Sequence, residues 1–152
     1  MTDILYNGVV AERRYALISP DQAKGVFSKI INSGKNEVTN PIEILQEIGK
    51  TFEADAVLTG YIFRWREREG TDYGVNRPAS VAFDLYLVDS DTTELLWKGR
   101  FDKTQRSLSE NIFEFRIFLE GKGKWMTAKD LANIGLRQLL DKFEQYEIEA
   151  QK

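Results

Sequence analysis

The chain has neither cysteine nor histidine among its 152 residues. Without cysteine there are no disulfides, no thiol nucleophile and no thiolate metal site. Without histidine, the commonest metal ligand and the commonest general base near neutral pH are missing, and with them every Ser–His or Cys–His catalytic pair. No apolar run reaches the ~20 residues that a membrane-spanning helix needs. A basic field is missing too. The 21 Lys and Arg stand against 24 Asp and Glu, for a net charge of −3, so no long-range attraction draws in nucleic acid. The Gly-Lys-Gly-Lys run at 121–124 has phosphate-loop residue types but neither the loop spacing nor a strand before it. These absences predict no cofactor, no tight transition-metal site and no intrinsic hydrolase activity, so the chain reads as a non-enzyme.

What is present is a sheet. Residues 54–69, 80–89 and 94–104 alternate apolar and polar side chains with the period of two that places them on opposite faces of a strand. In the first segment Tyr61, Phe63 and Trp65 share one face, and Arg64, Arg66 and Arg68 the other. Turns near Gly74 and through Ser90–Thr93 join the segments as a three-stranded antiparallel meander. Counting through those turns sets Phe63 opposite Leu85 and Phe83 opposite Phe101. This register predicts one buried face formed by Phe63, Trp65, Phe83, Leu85, Trp97 and Phe101. On the other face it predicts a solvent-exposed charge ladder with Asp84 between Arg64 and Arg100.

Helices flank the meander. Residues 2–13 carry a weak apolar stripe, and Tyr15–Ile18 then reads as a short strand. Ser19-Pro20-Asp21-Gln22 is a helix start with a capping box and proline at the first helical position. Asn40-Pro41-Ile42-Glu43 repeats the device. Thr127 to Asp130 opens a last helix with Leu136, Leu139, Leu140 and Phe143 as its inner stripe, and the polar tail from Gln145 is expected to fray. The fold class is therefore α/β, a mixed sheet dominated by an antiparallel three-stranded meander with helices packed on it. We divide the 152 residues, read as a single domain, into a helical part (1–53), the β-meander (54–104), and a covering segment with the C-terminal helix (105–152).

Three groups of residues could carry chemistry. Asp89, Asp91 and Glu94 resemble part of a calcium loop in composition but lack its glycine and distal glutamate, so a polar hairpin turn is the simpler reading. Arg64, Arg66, Arg68 and Arg100 form a candidate anion-binding face, although the interleaved Glu67 and Glu69 favour a solvated sheet surface. Phe113, Phe115, Phe118 and Trp125 lie between the sheet and the last helix and form a candidate interaction surface, because aromatics dominate protein–protein contacts.

The phrase ADAVLTG at 54–60, entering the sheet, and the phrase FDLYLVD…LLWKGRFD at 83–102, forming its hairpin, resemble those of a group of bacterial cell-envelope lipoproteins. These are related in fold to the amino-terminal domain of the translocation protein TolB and to the curli secretion lipoprotein CsgG. Members of that group usually begin with a signal peptide and a lipidated cysteine and carry an earlier strand. Neither feature is in these 152 residues, a state that a trimmed envelope protein and a cytoplasmic relative would share. The resemblance implies a non-enzymatic binding or assembly role in the periplasm or at the outer membrane. The expected partner is a protein or a second copy, not nucleic acid, and membrane contact would come only through a lipid anchor. The alternative is a small anionic ligand held on the arginine face.

Overall fold

The computed structural model describes residues 2–12, 15–32, 40–106 and 124–150, and Phe113, Phe115 and Phe118 lie outside the described residues. In chain order the elements are α1 (Thr2–Glu12), α2 (Pro20–Asn32), α3 (Pro41–Thr51), β1 (Ala56–Arg66), β2 (Glu69–Gly70), β3 (Val75–Arg77), β4 (Ser80–Asp89), β5 (Leu95–Thr104) and α4 (Ala128–Ala150). Strands β1, β4 and β5 form an antiparallel sheet with β4 in the middle, and β2 pairs with β3 as a separate small hairpin. The fold is α/β.

The helix starts follow the residues that announce them. Ser19 and Gln22 exchange bonds: the Gln22 amide donates to Ser19 Oγ at 3.4 Å, and the Ser19 amide donates to Gln22 Oε1 at 3.3 Å. Asn40 Oδ1 accepts from the Ile42 amide at 3.0 Å, with Pro41 in the first turn of α3. At the start of α4, the Thr127 amide donates to Asp130 Oδ2 at 3.1 Å and the Asp130 amide donates to Thr127 Oγ1 at the same distance. Two other expectations fail. Tyr15–Ile18 forms no strand: its side chains are exposed, and no described strand takes it as a neighbour, so there is no ladder for it to complete. The tail from Gln145 continues α4 to Ala150, because Glu, Gln and Ala are good helix formers.

The described residues gather into two compact units. One comprises residues 2–60 and 85–98, with Ile30, Ile48, Leu85 and Val88 buried. In it the turn after β4 is fixed from two sides. Asp89 Oδ1 accepts from the amides of Asp91 and Thr92 at 2.9 and 2.7 Å. The Gln46 side chain donates to the Asp91 carbonyl at 2.9 Å, and the Ser90 amide donates to the Asp55 carbonyl at 3.0 Å. The Asp89 carboxylate thus closes a hairpin turn through local amides. Gly49 lies so close to the Ser90 side chain that a Cβ there would collide with it.

The other unit comprises residues 61–84 and those from 99 onward. Its core contains Val81, Phe83, Phe101, Leu131, Leu136 and Leu139. The Phe83 and Phe101 rings stack with centroids 5.5 Å apart, as the β4–β5 register predicts. Helix α4 lies directly on them, since a Cβ on Gly135 would come within 2.5 Å of the Phe101 ring. Phe63 and Trp65, however, are not core residues: they are 53% and 43% exposed. Alternation fixes the phase of side chains within a strand but not against its neighbour. The connection used to count that phase is not one loop about Gly74 but the β2–β3 hairpin, which has a register irregularity between Glu69 and Gly70. Trp97 is half-buried.

Phe83 is 1% exposed, so Phe83→Ala will lower unfolding stability by about 3–5 kcal/mol through the cavity it leaves. Denaturant titration checks this, and a loss below about 1 kcal/mol contradicts the core assignment.

Candidate functional site

Strand β4 is buried along Val81–Leu85 on both faces, Asp84 included, at 0% exposure. A carboxylate taken fully out of water is costly unless its oxygens are hydrogen-bonded. Arg100 meets that requirement from β5, with Nε donating to Oδ1 at 2.6 Å and Nη2 to Oδ2 at 2.9 Å. This two-pronged pair is the half of the predicted ladder that forms. It is not the exposed pair expected, because its carboxylate is buried while the Arg100 side chain is 63% exposed. The Arg100 guanidinium also stands 5.3 Å from the centroid of the Phe63 ring.

The other half of the ladder is replaced. Arg64 does not reach Asp84; its Nε donates to Ser80 Oγ at 2.6 Å and its Nη2 pairs with Asp102. Ser80 in turn shares a hydrogen bond with Thr104 Oγ1 at 2.5 Å. Arg68 donates to the Trp125 carbonyl and to Asp72, each at 2.5 Å. Arg66 is half-buried, and its Nε has no hydrogen-bond partner among the described residues. So Arg64, Arg68 and Arg100 are each matched by a carboxylate. An incoming anion would meet neutral pairs, not a stripe of open cations. Trp125 is half-buried, with its backbone held on both sides, since its amide donates to the Asp72 carbonyl at 2.9 Å.

Two depressions mark the surface. One of about 490 Å³ is lined by Glu43, Gln46, Glu47, Lys50 and Thr51 of α3 alone. The other, about 340 Å³, lies at the start of α4 between Arg68, Asp72, Lys124 and Arg137. Its carboxylates are engaged: Asp72 with Arg68, and Asp130 with Thr127. The amide of Ala128 donates to Glu67 Oε1 at 3.0 Å, so the positive end of the helix already has its negative partner. Among the described residues no three acidic side chains converge on a point where a metal ion could sit, and no helix is long and apolar enough to cross a membrane.

The feature that stands out is apolar. Tyr61, Ile62, Phe63 and Trp65, on consecutive or alternate positions of β1, are exposed by 62%, 43%, 53% and 43%. The Tyr61 and Phe63 rings pack on each other with centroids 4.8 Å apart. Strand β1 pairs with β4 and forms an outer strand of the sheet among the described residues. Sequence reading found these aromatics but put Phe63 and Trp65 in the core. It missed Gln105, a buried amide that donates to the Lys124 carbonyl at 2.9 Å and accepts from the Met126 amide at 2.7 Å. One polar residue at a strand end gives no sequence signal of that clamp.

The geometry of Asp84 and Arg100 sets an order of effects. Arg100→Ala strips two charge-assisted bonds from a fully buried carboxylate and will cost about 3–5 kcal/mol. Asp84→Asn leaves a guanidinium that water can solvate and will cost at least ~1 kcal/mol less. Chemical denaturation of both variants checks the order, and equal losses contradict it. A second prediction concerns acid. The Arg68 guanidinium holds the Asp72 carboxyl below its ordinary value of 3.8, and the Thr92 amide does the same for Asp89. A lowered carboxyl contributes stability above its unfolded pKa and loses it as pH falls through the folded one. Melting temperature will therefore drop on acidification below pH ~4, and Asp72→Asn and Asp89→Asn will each flatten that drop. An unchanged slope in both variants contradicts it.

No family model and no curated protein matches the chain. Among solved structures, it is similar to the crystal structure of lipoprotein GNA1162 from Neisseria meningitidis. The two are 22% identical over 72% of this chain and 73% of that one, with a TM-score of 0.44.

Proposed function

We propose that this chain is a non-enzymatic binding or assembly domain of a bacterial envelope lipoprotein, with the exposed aromatic row of β1 as its contact surface. The observation that carries the reading is the row itself. Tyr61, Phe63 and Trp65, which share one face of an outer strand, expose 62%, 53% and 43% of their surface, and exposed apolar side chains gathered on one face mark interaction sites on soluble proteins. Tyr and Trp are also the residues that concentrate binding energy at such sites. The arginine face supports the reading indirectly, because Arg64, Arg68 and Arg100 are each matched by a carboxylate of this chain.

The envelope setting rests on the sequence phrases at 54–60 and 83–102 and on the kinship they suggest with the TolB amino-terminal domain and CsgG. In that setting the domain stands in the periplasm, and a lipid anchor would hold it at the membrane.

A photoreactive phenylalanine analogue placed at Tyr61 tests the contact surface in the cells that make the protein. Irradiation will give a protein adduct from position 61 and none from the exposed Lys142 on α4. No adduct at 61, or equal adducts at both positions, contradicts the reading.

A further inference from the structure

We infer that the partner seated on β1 is a second copy of this chain, added antiparallel along Tyr61–Trp65 about a two-fold axis at Phe63. This inference rests on the contact surface proposed above and names its occupant.

Four observations favour a second copy. First, β1 is an outer strand among the described residues; such a strand presents a row of unpaired backbone N–H and C=O groups, and natural edges are blunted by charged side chains, proline or covering elements. Residues 56–66, AVLTGYIFRWR, contain no lysine, no proline and no acidic residue, and both arginines, Arg64 and Arg66, are half-buried. Second, the segment is self-complementary in one register. Centred on Phe63, Tyr61 lies opposite the partner's Trp65, and Ile62 opposite the partner's Arg64. Aromatic pairs are among the favourable cross-strand neighbours. Third, that register opposes no like charges. A register centred one residue later would set Arg64 against itself. The Arg64 charge is also matched by Asp102 within its own chain. Fourth, the area is sufficient for a weak contact. Tyr61, Phe63 and Trp65, which share one face of β1, offer roughly 350 Å² per copy, so a symmetric pair covers at most ~700 Å², the size of a weak and reversible contact. A two-fold arrangement of this kind uses the same patch on both copies and closes on itself.

Trp65 carries the test, because its side chain is 43% exposed on that strand. Sedimentation equilibrium of the purified chain up to ~1 mM will give a mass that rises with concentration towards twice the monomer mass, as a weak two-fold contact requires. The monomer mass is 17.5 kDa. Trp65→Lys will sediment at the single-chain mass while circular dichroism and melting temperature stay at wild-type values. If Trp65→Lys loses its folded spectrum, Tyr61→Lys is read in its place. A wild-type chain that stays monomeric overturns the second copy as occupant. In that case an adduct from position 61 to a different protein would keep β1 as a contact surface, so the two readings fail separately. A dimer that survives both substitutions overturns the placement on β1.

Discussion

The structure depends on one buried charge. Asp84 lies in the strand that is covered on both faces, and its carboxylate has no exposure to water. Such a group is tolerated only with a partner of matching geometry, and the guanidinium of Arg100 supplies two parallel bonds. That pairing matches the register of β5 against β4, because a shift of one residue would move Arg100 to the other face and take both of its bonds away from Asp84. The same pairing brings Phe83 and Phe101 into ring contact beneath α4. It also carries the guanidinium to the Phe63 ring, so Phe63 stands beside an ion pair and not with the core aromatics.

The approach to α4 is held by a second set of polar contacts. Gln105 ties the end of β5 to the carbonyl of Lys124 and the amide of Met126. Arg68 ties the end of β1 to Asp72 and the Trp125 carbonyl. Glu67 and Asp130 occupy the amides at the start of the helix. These bonds saturate the places where a ligand would otherwise find open donors. What the surface still offers is apolar area on β1, which suits a protein contact better than a small polar molecule.

Much of this was legible in the sequence where the signal is local. The capping residues Ser19, Asn40 and Thr127 mark helix starts because their side chains bond amides two or three positions away. The β4–β5 hairpin is legible because Asp89 closes a short turn with a countable register. The phase of β1 was not, since the residues before β4 form their own irregular hairpin and break the count. Arg64 was expected at Asp84 for the same reason, and it bonds Ser80 and Asp102 instead. Gln105 could not be read at all, because its partners lie about twenty residues away in a segment without regular structure. Of the expected aromatic surface, Trp125 is described and the three phenylalanines are not.

Tyr61, Phe63 and Trp65 of β1 are exposed, and the proposed second copy would cover them in part. A chain with Trp97→Phe and Trp125→Phe keeps Trp65 as its sole tryptophan, so its fluorescence reports on that strand alone. At high dilution acrylamide will quench the emission readily and the emission maximum will lie at long wavelength. With rising protein concentration quenching will fall and the maximum will shift to the blue. A Trp65 already protected at high dilution, or one whose quenching is the same at every concentration, contradicts the account.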